Sequence, residues 1–489
     1  MRRLLLPVSV FLALLVAHAP LLNLPYYWDE AGYFVAAALD FFRHGWLIPQ
    51  TTLANGHPPL LSAWLALVWT ATGAHPWATR VAMLVWATAL VCGVYHLARR
   101  HMSGRQAAVP AFLIAIAPLC FAQSTMAQLD LPVAALVVWA LVFPRHRWQR
   151  AALLSAACLT KETAVIVPVT LLVVEFSPWL LLPIATLAGW FVFYHHITGY
   201  WFGNPQYFAY NVGQAAFSLP RIGMSLLRRI WQLAGYNGTW LLTALALWAA
   251  FRHRDRTHNH ALLPRGATPS RGDSRAGPRA NQICAIIAVY LVFHAVVGGA
   301  VLARYLLPAL ALFFILATRA ILTLPRAGLW IALVAAFLVV NWFWNPPYPF
   351  PYEDNLAYVQ FVHLHQAAAR SLEASPPNGA VWTAWPATDE LSKPDLGYVT
   401  TPIPIHPLED FSPQSLAAIA QPVPELYIYS REYQPRRDVL AWLPFWRRWG
   451  DRYFHHSAPA PSEAWLARLG LTAHWEKRDR GQWALLASH

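Results

Sequence analysis

Apolar runs of 13 to 23 residues recur through the first 345 positions, separated by short polar or basic segments. A helix needs about 20 apolar residues to span a bilayer, fewer when it is packed among others. Residues 4–24 meet that length and predict a first crossing. Arg2-Arg3, the apolar run and Ala17-His18-Ala19 also have the order of a signal peptide, but the run is long enough that an uncleaved helix is simpler. Pro25 to Pro59 is aromatic and polar and reads as an external loop, in which a surface helix over Asp29–Arg43 is one reading of the acidic pair at its start. Leu60–Thr72 is short and reads as a second helix lying at the membrane surface. Crossings are predicted at 77–98, 107–123 and 131–143. Residues 151–196 hold three more, broken at Thr160-Lys161-Glu162-Thr163. A second external loop covers 197–230, followed by crossings at 231–251, 283–303, 305–318 and 327–345.

Charge sets the orientation. Only 12% of the 489 residues are charged and 57% are hydrophobic, against about 25% charged in soluble domains. A cytosolic enzyme and a disordered chain are therefore both excluded. The net charge of +13 does not point to nucleic acid, because residues 1–345 carry 24 Lys+Arg against 8 Asp+Glu while residues 346–489 carry 12 against 15. Basic residues in short loops stay on the cytoplasmic side. Eleven crossings put 17 of those 24 basic residues inside, including the seven arginines of 252–282, which read as a flexible cytoplasmic linker. Residues 346–489 contain no spanning run. Helical spacing over Asn355–Glu373, with strand-like segments at Ala380–Trp385 and Glu425–Ser430, predicts a small external α/β domain. The fold class is thus a polytopic α-helical membrane protein of an inner or plasma membrane, with a C-terminal soluble α/β domain. The four cysteines show no paired spacing and read as core filling.

Scarcity makes the carboxylates informative. Of the eight before residue 346, Asp29, Glu30, Asp40, Asp130 and Glu162 fall on the outer side, although the topology rests on basic residues alone. Ionisable groups at membrane depth are costly and tend to face a cavity or a partner. Asp29-Glu30 could instead be the acidic start of a helix, and Asp130 an N-cap. The outer basic set is Arg43, Arg80, Lys161, Arg221, Arg228, Arg229 and Arg304; each alone could be snorkelling. Beside external carboxylates they suggest a site for an anionic lipid head group held by charge-assisted hydrogen bonds. His195-His196 could bind a metal with an acidic partner, but paired interfacial histidines are more often structural.

Five short motifs stand in order across residues 1–310: Asp29-Glu30, His57-Pro58-Pro59-Leu60, Ala127-Gln128-Leu129-Asp130, Leu159-Thr160-Lys161 and Arg304-Tyr305-Leu306-Leu307-Pro308. Together they resemble the GT-C glycosyltransferases, in the group of protein O-mannosyltransferases and the lipid A aminoarabinose transferase. The resemblance implies inverting transfer of a sugar from a polyprenyl-phosphate donor to a lipid, glycan or protein acceptor on the outer face. Carried over, Asp29 is the general base, and Glu30 and Asp130 orient acceptor and sugar. Lys161 and Arg304, with the adjoining Tyr305, hold the carrier phosphate, and His57 binds phosphate or positions the acceptor. The first outer loop lacks the Asp-x-Asp of the metal-dependent oligosaccharyltransferase branch, so neither metal nor another cofactor is expected. A transporter, a glycan polymerase or ligase of related fold, and a non-catalytic scaffold are the competing classes; the large external loop and the lack of an internal repeat weigh against the transporter.

Overall fold

The computed structural model describes residues 2–209, 218–260, 280–297, 299–412, 415–416, 423–453 and 463–489. Among these, five helices are long and apolar enough to cross a membrane: Leu4–Leu21, Pro76–Ala98, Pro178–Thr198, Ala280–Val297 and Ala303–Ile321. Shorter apolar helices at Leu60–Thr72, Gly104–Ile116, Asp130–Val142 and Ala327–Val340 pack among them. The chain is a polytopic membrane protein whose helical bundle carries a five-stranded sheet domain at its C-terminal end.

Several expected helices are interrupted, each at a residue with a local cause. The run expected over 107–123 divides into Gly104–Ile116 and Pro118–Gln123. Ala117 is extended because the proline after it disfavours the helical region. The break expected at Thr160–Thr163 is present: Arg147–Thr160 ends at an extended Lys161, a 3₁₀ turn covers Glu162–Val165, and Ile166–Glu175 follows. At the far end of these helices, Glu175 accepts hydrogen bonds from Arg150 and Gln282 and ties three helices together. The start of the first loop is also not the simple helix expected from Asp29. Glu30–Phe34 forms a π turn that leads into Val35–His44, and Gly45 ends it in the left-handed conformation.

Two segments differ from their expected character. Within 197–230, Leu219–Ala234 is a helix that buries Arg221, Met224, Ser225, Arg229 and Leu233 along one side. These positions recur at the spacing of one helical face. The next helix starts at Thr239, not 231, after the turn Gly235–Gly238, and it runs unbroken to His260. Residues 252–260 of the expected linker are therefore helical, and 261–279 lie outside the described residues.

In the sheet domain, the helix and strands expected from spacing occur as Ala357–Ala374, β1 Val381–Ala384 and a strand at Glu425–Tyr429. The full order is β2-β1-β3-β5-β4, where β2 is Ile405–Leu408, β3 Glu425–Tyr429, β4 Thr472–Asp479 and β5 Gln482–Ser488. β2, β1 and β3 run parallel; β5 and β4 join as an antiparallel hairpin. β3 is buried along its whole length, consistent with its central place. The domain docks on the first loop: Tyr26 N–H donates to the Leu396 carbonyl, and the Trp385 indole lies over Gly32 so closely that a Cβ there would clash with it.

Candidate active site

Arg304 occupies a 3₁₀ turn, Ala303–Leu306, just before the Leu307–Ile321 helix. Its guanidinium is buried and faces three carboxylates. Nη2 donates to Asp29, Nη1 donates to Glu353, and Nε lies 3.3 Å from Asp130 Oδ2. The three acids come from the first loop, the first turn of the Asp130–Val142 helix and the start of the sheet domain. Asp130 is not the N-cap: Leu129 holds that position and Asp130 is the first helical residue. It lies at the positive end of the helix and, besides the ion pair to Arg304, accepts a charge-assisted hydrogen bond from Lys161 Nζ at 2.7 Å. The extended Lys161 backbone at the helix break is what turns that side chain inward.

The aromatic ring of Tyr305 gathers the cations. Lys161 Nζ is 3.8 Å from its centroid, and the guanidinium carbons of Arg304 and Arg229 lie at 5.5 and 5.6 Å. The negative face of an aromatic ring attracts such groups. Arg229 is held by the carbonyls of Leu302 and Ala300 at 2.6 and 3.2 Å. Beside Lys161 and Tyr305 opens a cavity of about 350 Å³. His57, Lys161, Glu162 and Tyr305 are among its polar lining residues, and Leu187, Phe191, Phe202, Phe293 and Val297 among its apolar ones. His57 Nδ1 lies 2.7 Å from Glu162 Oε2.

The sequence-predicted residues separate into distinct groups. Asp29, Asp130, Lys161, Arg304 and Tyr305 form one contact network; His57 joins the cavity through its pairing with Glu162. Glu30 has a different place. It is fully buried, receives Arg80 and the Ala127 N–H on Oε1, and receives the Tyr27 N–H at 3.0 Å on Oε2. With its oxygens consumed, Glu30 clamps the first loop to the stretch of backbone that leads into Asp130. Arg304 likewise lies outside the cavity lining, each side of its guanidinium being turned to an acid. Asp40 is a loop anchor, accepting from the Gln50 and Thr51 N–H groups at 2.7 and 2.9 Å.

Three further residues enter the site. Glu353 also accepts from Gln128 Nε2 at 3.1 Å, and Asp354 accepts from the Tyr236 hydroxyl at 2.9 Å. Arg229 belongs to the outer basic set, though nothing in its spacing separates it from Arg221 or Arg228. An acidic pair directly after the last apolar run, matching Asp29-Glu30 after the first, is the sequence signal for Glu353-Asp354. Burial raises the Glu353 carboxyl to about 7 despite Arg304, with Asp29 pushing in the same direction. Asp354 is raised by burial and by Glu353. Among the described residues, no cluster of three or more His, Cys, Asp or Glu could hold a metal ion. His195 stacks on Trp201 with centroids 4.0 Å apart.

The sequence family of dolichyl-phosphate-mannose-protein mannosyltransferases matches residues 56–201. That span includes His57, Asp130 and Lys161 but neither Asp29 nor Arg304. The crystal structure of ArnT from Cupriavidus metallidurans bound to undecaprenyl phosphate superimposes with a TM-score of 0.55 at 14% identity, covering 99% of this chain and 97% of that one. The chain has a GT-C glycosyltransferase fold. ArnT from the same organism in the apo state matches equally, with a TM-score of 0.54, 14% identity and 98% of both chains covered. No curated protein sequence matches the chain. In this GT-C fold the Arg304 network lies where the helical bundle meets the sheet domain.

The contrasting environments of the adjacent acids can be separated by stability. Removing one partner of a buried ion pair costs about 3–5 kcal/mol. Glu30→Gln, which leaves Arg80 buried beside a neutral group, is expected to lower the melting temperature of the detergent-solubilised protein well below that of Asp29→Asn. Equal melting temperatures would contradict the clamp assigned to Glu30.

Proposed function

We propose that the chain transfers a sugar from a polyprenyl-phosphate donor to a nucleophilic acceptor, by a single inverting displacement on the outer face of the membrane. The observation that carries this reading is the cavity that Lys161 and His57 line together with a large apolar surface from Leu187, Phe191, Phe202, Phe208, Phe293 and Val297. A phosphate on a long isoprenoid chain has the same division between charged head and apolar tail. The molecule bound to ArnT in its crystal structure, undecaprenyl phosphate, has this chemistry. The outer-face assignment rests on the bias of the basic residues.

Lys161 donates to Asp130 through one N–H and has further donors for a phosphate oxygen. Asp29 is linked to this lysine through Arg304 and Asp130. Its side chain is 17% exposed, against 6% for Asp130 and 3% for Glu353, so it is the acid of the network most open to an incoming group. In the proposed step, an acceptor hydroxyl oxygen forms a bond to the anomeric carbon and loses its proton to Asp29. The bond from that carbon to the phosphate oxygen breaks, and its electron pair leaves with the polyprenyl phosphate. Lys161 and His57 stabilise the charge that gathers on the leaving group. Arg304 holds Asp29 and Asp130 in fixed relation, a task that leaves it less free to hold phosphate than the family resemblance implies. Glu30 secures the loop that carries Asp29.

General-base catalysis contributes about a hundredfold to ten-thousandfold. With a radiolabelled polyprenyl-phosphate sugar, Asp29→Asn is expected to lose kcat by that range while KM for the donor changes little; undiminished turnover would remove Asp29 as the base. Glu353 supplies a second test. Arg304, Asp29, Asp130, Asp354, Tyr27 and Gln128 surround its carboxyl, which burial raises to about 7. Above that pH, ionised Glu353 competes with Asp29 for Arg304 and frees the Asp29 carboxylate to take a proton. The wild-type rate is expected to rise through this window, whereas Glu353→Gln holds its low-pH rate across it. Profiles of the same shape would exclude that coupling.

A further inference from the structure

The helix Ala327–Val340 ends beside a groove of about 930 Å³ that the proposed reaction does not use. Val340, Phe343 and Trp344 are among its lining residues, with Phe343 62% and Trp344 67% exposed. Arg436, Arg437 and Arg480 line it as well. These arginines come from two separate segments, and the backbone fixes both. Gln434 N–H donates to the Gly481 carbonyl at 2.8 Å, and Val439 N–H donates to the Pro347 carbonyl at 2.9 Å. The Tyr433 ring packs on Phe350 with centroids 4.9 Å apart. Gly481, at φ 84°, forms the hairpin turn between β4 and β5 with Arg480. A Cβ at Gly481 would meet the Tyr433 ring at 2.5 Å and the Gln434 carbonyl at 2.6 Å, so the turn is seated tightly against the arginine loop.

Charge and polarity then point the same way. Residues 346–489 carry more acidic than basic residues, yet among the described residues no carboxylate lines this groove. Of the two carboxylates adjacent to these arginines in sequence, Asp438 caps its own turn through the Leu440 N–H at 2.9 Å, and Asp479 acts on His363. Immediately beyond, Trp442, Phe445 and Trp449 are exposed, the last two one turn apart on the Pro444–Tyr453 helix. Exposed tryptophans beside arginines, next to the end of a membrane helix, match the composition of a membrane–water interface.

We infer that this groove binds an anionic phospholipid, with its phosphate on Arg436, Arg437 and Arg480 and its acyl chains along Val340, Phe343 and Trp344. Charge complementarity selects an anionic head group, and the apolar lining selects a lipid over a free phosphate. The site is separate from the Lys161 cavity and shares no residue with it. Its effect would be to hold the sheet domain against the membrane surface.

The full-length protein in detergent, titrated with phosphatidylglycerol or phosphatidylcholine of matched chains and followed by native mass spectrometry, tests this. The wild type is expected to retain one more tightly held phosphatidylglycerol than the triple variant Arg436→Gln/Arg437→Gln/Arg480→Gln, with affinity for that molecule falling roughly tenfold or more. Phosphatidylcholine binding is expected to be the same in both proteins, and their melting temperatures and transfer rates should agree. Equal phosphatidylglycerol occupancy in the two proteins would overturn the assignment. So would displacement of the extra lipid by millimolar inorganic phosphate alone, which would mark an anion patch, or a dimer in the wild type that the variant cannot form.

Discussion

A single guanidinium buried among three carboxylates is the interaction on which the site depends. Arg304 cannot be removed from water without partners, because an unpaired buried charge is strongly destabilising. Its partners are Asp29, Asp130 and Glu353, which lie in the first loop, an internal helix start and the entry to the sheet domain. Pairing them brings together parts of the chain more than 200 residues apart. The arrangement also carries an excess of acid that a second cation, Lys161, only partly offsets. An excess of this kind suits a group that must receive a proton or position a cationic centre, and it makes each member sensitive to the charge of the others.

Irregular backbone delivers these side chains. Membrane helices satisfy their own hydrogen bonds, so breaks are tolerated only where protein or a polar cavity covers them. Lys161 sits at one such break and Arg304 at another, while the Glu30–Phe34 π turn follows Asp29 directly. The Glu30–Arg80 clamp serves the same end by a different route. Arg80 also donates to the carbonyls of Pro25 and Thr125 at 2.8 and 2.9 Å, which fixes the loop carrying Asp29 relative to the segment carrying Asp130. A carboxylate adjacent to the proposed base thus acts on the scaffold and leaves the chemistry to its neighbour.

Much of this is legible in the amino-acid sequence. Apolar runs mark the membrane class, and acids are so scarce ahead of residue 346 that Asp29 and Asp130 stand out. The Thr160–Thr163 break is visible because Lys161 and Glu162 interrupt an apolar stretch. What stays hidden has physical reasons. Asp29 and Glu30 are chemically alike and adjacent, and only burial separates the open acid from the clamp. Glu353 lies in a region where acids are ordinary, so scarcity does not mark it. Arg229 shares its helix with Arg221 and Arg228, from which its spacing does not separate it, and its role depends on the carbonyls of Ala300 and Leu302, far along the chain. Long-range pairings of that kind leave little trace in local spacing.

The place where a polyprenyl phosphate binds is the most direct check on the assigned function. A high-resolution structure of the full-length protein in lipid nanodiscs with added undecaprenyl phosphate would decide it. The expected result is a phosphate within hydrogen-bonding distance of Lys161 Nζ, with the isoprenoid chain leaving along Phe191 and Phe293. A phosphate seated away from Lys161 and His57, with the cavity empty, would contradict the assignment of this site to a lipid-linked donor.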